Sequence, residues 1–210
     1  MITLYTWTTP NGRKVSILLE ELGLPYEVKP VNIGRNEQFD PAFLRISPNN
    51  KIPAIVDRRG DGEPRTLFET AAILIHLAES TGRFLPADGP ARDRALEWLV
   101  WSVAGLGPML GQWNYFAVRA DEKVPAAIDR FTEEAIRLFG VLDRRLGEAE
   151  YLAGEYGIAD ISAFTWTKAV LDKLRDGAGP EFPAAPHIDR WLSAIATRPA
   201  VTRGMAVPHV

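Results

Sequence analysis

One short segment of the chain carries backbone groups that could bind a small peptide. In Asn50-Lys51-Ile52-Pro53 the proline stands immediately before a predicted strand. A proline in cis at this position would turn the chain and leave the backbone groups of Ile52 unpaired. A peptide could then pair with Ile52 like an added strand. A simpler interpretation, in which Pro53 only marks an edge strand, stays open.

A second segment, Phe68-Glu69-Thr70, lies at a predicted junction of a strand and a helix. The free amides and the dipole of a helix start attract a carboxylate. Thr70 with its amide could therefore bind a carboxylate, and Glu69 could bind an amine. Alternatively, Glu69 and Thr70 only cap the helix.

The chain contains no cysteine, so it has no disulfide, thiolate metal site or thiol nucleophile of its own. Any sulfur chemistry at these segments requires a ligand that brings the sulfur. The three histidines lack metal-ligand spacing, so no metal is expected. The glycines between positions 105 and 111 neither follow a strand nor have the spacing of a phosphate-binding loop.

The charge and the apolar segments favour a protein of the cytoplasm that acts on small molecules. The 210 residues carry 24 Lys and Arg against 27 Asp and Glu, a net charge of −3, which argues against a dedicated nucleic-acid or anionic-membrane binder. The start of the chain has no secretory signal pattern. The uncharged run 98–118 contains several glycines and Pro108, so it predicts a buried helix with a break rather than a membrane span.

The first eighty residues predict a mixed sheet with helices. Apolar residues at helical spacing run through 15–22, and Gly23 ends that helix. The predicted strands are Ile2 to Tyr5, Tyr26 to Val31, Ala54 to Asp57 and Thr66 to Phe68; further helical segments are Pro41 to Ile46 and Glu69 to Ser80. This order combines a parallel βαβ unit with an antiparallel hairpin.

The rest of the chain predicts a separate helical domain. The segment 82–90 is rich in Gly and Pro and has no apolar periodicity, whereas apolar residues at helical spacing follow it. We expect a first domain at 1–82, a linker at 83–90 and an all-helical domain at 91–210.

Motifs spread over nearly the whole chain resemble the glutathione transferase superfamily. They are Leu4-Tyr5 with Pro10-Asn11, Glu20 to Glu27, Ser47 to Ala54, Phe68 to Ile73, and Tyr156 to Ile161. Three further segments are similar to a narrower set, the bacterial nu-class and Ure2-like disulfide-bond reductases: Gly34 to Phe39, Leu44 to Lys51, and Gly105 to Gln112.

The resemblance implies a thioredoxin-like α/β domain with a four-stranded mixed sheet, an all-α second domain, a homodimer, and a cis peptide before Pro53. Glutathione is the implied co-substrate, without a metal. Carried over by motif, Glu69 and Thr70 would hold its γ-glutamyl end, Ile52 its cysteinyl backbone, Lys51 and Gln38 its glycine end, and Gln112 and Arg130 would add contacts from the helical domain. Arg130 could equally be a solvated helix arginine.

The resemblance also places the reacting sulfur over the end of the first strand. The hydroxyl of Thr9 and the amide of Asn11 could each donate a hydrogen bond to a thiolate there. Lowering a thiol pKa from about 8.5 towards neutrality needs roughly 2 kcal/mol, which one or two such donors and a helix start can supply. Two alternatives stay open: Thr9 and Asn11 form a plain helix cap, or Tyr5 donates to the sulfur instead.

The chain departs from the family pattern at Gly157, where the family has Ser or Thr at the start of a helix. Glycine is itself a tolerable N-cap, so the expected loss is a few tenths of a kcal/mol. Asp160 can still pair with the backbone amide of Gly157. We expect this motif to be structural.

These observations favour a glutathione-dependent reductase of small disulfides. Conjugation of glutathione to electrophiles or reduction of organic hydroperoxides would need the same thiolate, and the aromatic stretch 113–116 could line an apolar co-substrate site. A third hypothesis, from another class, is a Ure2-like binding or regulatory protein without useful catalysis.

Overall fold

The computed structural model describes residues 1–179 and 182–210. Contacts divide these residues into two compact units, one of residues 1–87 with 197–210 and the other of residues 88–196.

The first unit is built around a four-stranded mixed sheet. Its strands are β1 (Ile2–Thr6), β2 (Tyr26–Pro30), β3 (Ala54–Asp57) and β4 (Arg65–Phe68). In the order β2-β1-β3-β4, β1 pairs with β2 in parallel, whereas the pairs β1 with β3 and β3 with β4 are antiparallel. The central strands are buried on both faces, which explains their apolar sequences. The predicted mixed sheet is confirmed.

Helices account for most of the remaining described chain. They are α1 (Pro10–Leu22), α2 (Pro41–Leu44), α3 (Thr70–Glu79), α4 (Gly89–Trp101), α5 (Gly107–Trp113), α6 (Pro125–Glu148), α7 (Ile158–Ala178), α8 (Pro186–Ala196) and α9 (Pro199–Met205). Two 3-10 turns, Ile33–Arg35 and Glu37–Phe39, precede α2. No helix in the described part of the chain is long and apolar enough to cross a membrane.

Helix α1 places its first turn against the end of β1. The side chain of Thr9 caps the helix by accepting a hydrogen bond from the Gly12 amide at 3.1 Å. A Cβ on Gly12 would clash with the Trp7 carbonyl oxygen, so only glycine allows this close approach. The helix ends at Gly23, whose φ of 66° is the left-handed conformation of a helix C-cap.

The end of the chain packs on α1, which differs from the predicted domain limits. Ser16 Oγ donates to the Gly204 carbonyl at 2.7 Å, and a Cβ on Gly204 would lie 2.5 Å from Ile17 Cα. Arg198 also pairs with Glu21, Nε to Oε1 at 2.6 Å. Residues 197–210 therefore cluster with the first unit, although we expected them in the helical domain 91–210. At the other end, the division between residues 87 and 88 falls inside the predicted linker 83–90.

The second unit is helical. The sequence predicted a break in the helical run 98–118, but this run stays helical throughout. The chain passes from α4 into a π-helical segment, Ser102–Leu106, then into α5 and a second π-helical segment, Asn114–Arg119. The first segment closes with a hydrogen bond from the Gly107 amide to the Ser102 carbonyl. Since Pro108 has no amide hydrogen, the wider turn before it keeps the chain helical where an α-helical bond is lost.

Asp160 anchors the start of α7. Its buried carboxylate accepts hydrogen bonds from the Gly157 amide at 3.2 Å, the Leu152 amide at 3.0 Å and Trp191 Nε1 at 2.8 Å. The expected pairing of Asp160 with Gly157 is thus confirmed. Burial raises the pKa of Asp160 to about 6, against the opposing effect of these three donors.

Candidate active site

A cleft of about 240 Å³ opens in the first unit, next to the starts of α1 and α3. It is lined by Asn11, Ser47, Asn49, Lys51, Ile52, Pro53, Phe68, Glu69 and Thr70. The structure therefore brings together most of the first-domain residues that the sequence predicts for glutathione binding. Thr9 and Gln38 do not line this cleft.

The segment before β3 presents a backbone edge to the cleft. The Ile52–Pro53 peptide is cis, as predicted. The side chain of Ile52 packs against a buried cluster of Val31, Phe43 and Ala54. Within the described residues the Ile52 amide donates no hydrogen bond. An extended peptide could pair with this amide, as an added strand pairs with a sheet edge.

The start of α3 supplies the polar end of the cleft. Glu69 occupies the N-cap position with φ 69° and ψ 121°, a strained conformation for a residue other than glycine. Its side chain makes no capping hydrogen bond, so the interpretation of Glu69 as a plain cap is not supported. The first amides of the helix, beginning with that of the buried Thr70, are left for an anion.

Three residues of the cleft, Ser47, Asn49 and Phe68, were not predicted as site residues. Ser47 is fully buried, and its Oγ donates to the Lys51 carbonyl at 2.8 Å. Asn49 Nδ2 donates to Glu69 Oε1 at 3.4 Å. Their signal in the sequence is their place inside the segments Ser47 to Ala54 and Phe68 to Ile73, but no spacing rule assigns them a contact.

The predicted sulfur donors lie at the first turn of α1. Asn11 lines the cleft directly. Thr9 Oγ1 accepts the bond from the Gly12 amide, and its hydroxyl hydrogen donates to no group in the described residues. This hydrogen is therefore available to a ligand. The roles of Thr9 and Asn11 towards sulfur stay predictions.

Tyr5, the alternative donor, does not line the cleft. Its ring lies 6.0 Å from the Phe43 ring, and Lys29 Nζ lies 5.9 Å from the centre of the Tyr5 ring. Tyr5 packs against the same buried cluster as Ile52. The structure therefore gives no support to Tyr5 as the sulfur donor.

The remaining predicted binding residues lie outside the cleft. Gln38 is half-buried in the second 3-10 turn, and its Oε1 is buried with no hydrogen-bond partner among the described residues. Gln112 and Arg130 are exposed in the second unit, on α5 and α6. Their contribution to binding stays a prediction.

The charged side chains that line the cleft are exposed, whereas a buried charged group lies on α1 outside this lining. Lys51 and Glu69 are exposed, whereas Lys14 is 1% exposed. Burial lowers the pKa of the Lys14 ammonium to about 7. Within residues 1–179 and 182–210, no group of three acidic or histidine side chains is placed to hold a metal ion.

Comparison with protein families gives two matches along the chain. Residues 8–80 match the family described as the glutathione S-transferase N-terminal domain. Residues 108–199 match the glutathione S-transferase C-terminal domain.

Individual relatives match over almost the whole chain. The disulfide-bond oxidoreductase YfcG of Escherichia coli (strain K12) is 46% identical over 208 residues, which cover 98% of this chain and 94% of that protein. A glutathione transferase family member from Pseudomonas fluorescens, solved with two glutathione bound, is 44% identical with a TM-score of 0.93, covering 99% of this chain and 93% of that one. A glutathione transferase from Pseudomonas putida, solved with one glutathione disulfide per subunit, is 42% identical with a TM-score of 0.92, covering 99% and 91%.

Proposed function

Because this chain belongs to the glutathione S-transferase family, we propose that it is an enzyme that reduces small disulfides through the thiolate of bound glutathione. The observation that carries the proposal is the combination of a chain without cysteine and 46% identity to a disulfide-bond oxidoreductase. Because the protein has no thiol, thiol–disulfide exchange can run only between ligands held in one site.

In the proposed complex, glutathione lies along the cleft of the first unit. Glu69 binds its amine, and Thr70 with the first amides of α3 binds the γ-glutamyl carboxylate. Ile52 pairs with the cysteinyl backbone. Lys51 and Gln38 bind the glycine end, where the Lys51 ammonium pairs with the glycine carboxylate. Gln112 and Arg130 add contacts from the helical unit.

The proposed reaction consists of two thiol–disulfide exchanges. The thiolate of bound glutathione attacks one sulfur of the substrate disulfide, which forms a mixed disulfide and releases the other sulfur as a thiolate that takes up a proton. The thiolate of a second glutathione then attacks the glutathione sulfur of the mixed disulfide, which gives glutathione disulfide and releases the second substrate thiol. Thr9, Asn11 and the start of α1 lower the pKa of the first thiol. The solved relatives that hold two glutathiones or one glutathione disulfide support two binding positions.

The resemblance also leads us to propose a homodimer in the cytoplasm whose first domain, 1–82, binds glutathione. Its other partner in this proposal is a small disulfide or electrophile rather than a nucleic acid or a membrane.

A second candidate function is conjugation of glutathione to an apolar electrophile, or reduction of an organic hydroperoxide. Tyr115 is 54% exposed and meets the Phe116 ring at 5.1 Å, and Phe116 stacks on Phe131 at 5.7 Å. This aromatic surface favours an apolar co-substrate. Trp113 is not part of it, because the side chain is buried and its Nε1 donates to Thr132 Oγ1.

Three assays with the purified protein and glutathione separate these functions. We expect the highest kcat/KM with 2-hydroxyethyl disulfide, and lower values with a chloronitroaromatic and with cumene hydroperoxide. If the protein conjugates glutathione to the chloronitroaromatic but does not turn over the disulfide, the proposed reductase function is refuted. Tight glutathione binding without turnover of any substrate, together with a stable protein partner, would indicate a regulatory protein.

Variants of the cleft test the assigned roles. Thr9→Val and Asn11→Ala should each lower kcat/KM for the disulfide about tenfold, or 1.4 kcal/mol, while the Kd of glutathione changes little. Glu69→Ala should instead raise that Kd, because its contact exists in both the ground and the transition state. If the thiol pKa of bound glutathione, followed by thiolate absorbance, changes only in Tyr5→Phe, the assignment of Thr9 and Asn11 is wrong.

A further inference from the structure

We propose that Ser47 is a positioning residue for glutathione, which acts through the peptide group between Lys51 and Ile52. This inference rests on the proposed function, since it assigns Ser47 to the part of the site that would pair with the cysteinyl backbone.

The position of Ser47 is fixed by backbone hydrogen bonds on both sides. Its amide donates to the Phe43 carbonyl at 2.9 Å, which ties it to α2. Its carbonyl accepts from the Asn50 amide at 2.9 Å, which closes a turn towards the cleft. With an exposure of 0%, the hydroxyl of Ser47 cannot turn to water. Its bond to the Lys51 carbonyl at 2.8 Å is therefore a fixed contact within the first unit.

The hydrogen bond of Ser47 sets the direction of the Ile52 amide. The carbonyl of Lys51 and the amide of Ile52 belong to the same planar peptide group, which is trans. In a trans peptide the two groups point in opposite directions. Because the Lys51 carbonyl points at the buried Ser47 hydroxyl, the Ile52 N–H points away from Ser47. This N–H has no partner in the described residues.

Other contacts of the segment leave this peptide group to Ser47. The side chain of Ile52 is held by the cluster around Phe43, but a side chain does not set the rotation of the preceding peptide. Lys51 is exposed, and its side chain makes no hydrogen bond or ion pair with the described residues. We infer that without the Ser47 hydroxyl the Lys51–Ile52 peptide group loses the hydrogen bond that restrains it most. The Ile52 amide is then no longer held in the binding orientation before glutathione binds.

The test is Ser47→Ala, with Ser102→Ala as the matched control. Ser102 is also a buried serine, at 1% exposure, whose Oγ lies within hydrogen-bond distance of a backbone carbonyl, that of Leu99 at 3.0 Å, and of Ser162 Oγ at 2.6 Å, but it lies on the other unit. We expect Ser47→Ala to raise the Kd of glutathione about tenfold, measured by calorimetry, and to leave kcat at saturating glutathione within twofold. Both variants should lower Tm by similar amounts, because each removes a buried hydroxyl. Ser102→Ala should leave the Kd of glutathione unchanged.

A ligand change makes the test specific for the cysteinyl backbone. In a glutathione analogue whose cysteinyl carbonyl is reduced to a methylene, the Ile52 amide has no acceptor. Wild type should bind this analogue more weakly than glutathione, and Ser47→Ala should bind it as wild type does. An equal loss for both ligands, or an unchanged Kd for glutathione, would overturn the role of Ser47. Failure of wild type to bind glutathione at all would instead refute the proposed function.

If Ser47→Ala does not fold, the wild-type protein still decides the point. We expect the ¹⁵N-labelled Ile52 amide to be already protected from rapid conformational averaging before glutathione is added, and to shift downfield on binding. An Ile52 amide that averages freely in the absence of ligand would contradict positioning by Ser47.

Discussion

The buried lysine of α1 leads to a quantitative prediction about stability. Lys14 is almost completely inaccessible, and burial lowers its pKa from 10.5 to about 7. At 1.36 kcal/mol for each tenfold change in proton affinity, this difference corresponds to about 5 kcal/mol against the charged form in the folded state. Lys14→Met, which keeps a long flexible side chain without the charge, should therefore stabilise the protein by several kcal/mol near pH 7.

The pH dependence has a definite sign. Between pH 7 and 10.5 the unfolded chain keeps the Lys14 proton while the folded protein has lost it, so the stability of wild type rises with pH. The slope from this one group is about 1.4 kcal/mol per pH unit, and it disappears below about pH 7, where both states bind the proton. The stabilising effect of Lys14→Met should thus shrink by about 3 kcal/mol between pH 7 and 9.5.

Urea unfolding of both proteins at several pH values measures this difference, because all other titrating groups are shared and cancel. Lys168→Met, on an exposed position of α7, is the control and should change stability by less than about 0.5 kcal/mol at every pH. Equal stabilities of wild type and Lys14→Met at pH 7, or parallel pH profiles, would refute the reasoning that desolvation dominates at Lys14.

Two further substitutions test the packing. Gly204→Ala should destabilise the protein by roughly 2 kcal/mol, because its Cβ would meet the backbone of Ile17 at 2.5 Å. The control Gly140→Ala on α6, whose Cβ would have nothing within 4 Å, should stabilise the protein slightly. Equal changes in Tm for the two variants would contradict the close packing of α9 on α1. Asp160→Ala should cost roughly 3 kcal/mol, because three N–H donors lose their acceptor, and a change in unfolding free energy below about 1 kcal/mol would show that water replaces the carboxylate.

Local patterns in the sequence were enough to predict much of the fold. The predicted strands and helices of the first unit lie within one to three residues of the observed ones at most ends, because apolar periodicity, Gly23 and the predicted turns act over a few neighbouring residues. The cis peptide before Pro53 and the grouping of Lys51, Ile52, Glu69 and Thr70 followed from motifs of the resembling family.

Other features required the contacts of distant segments. The residue type of Lys14 argues against its burial, because lysine is almost never fully buried unless it is paired. The docking of residues 197–210 on α1 depends on Gly204 meeting Ile17, a contact between positions 187 residues apart that no periodicity reveals.

The sequence by itself determined which residue types can do chemistry here: a chain without cysteine, a proline before a strand, and Glu69-Thr70 at a helix start. The tertiary structure decided how they are arranged. Tyr5 packs against the apolar cluster around Phe43, and Thr9 is not among the residues that line the cleft. It also placed the buried Ser47 hydroxyl on the Lys51 carbonyl. The physical reason is that residue type limits what a group can donate or accept, whereas burial and hydrogen-bond partners depend on which elements meet in space.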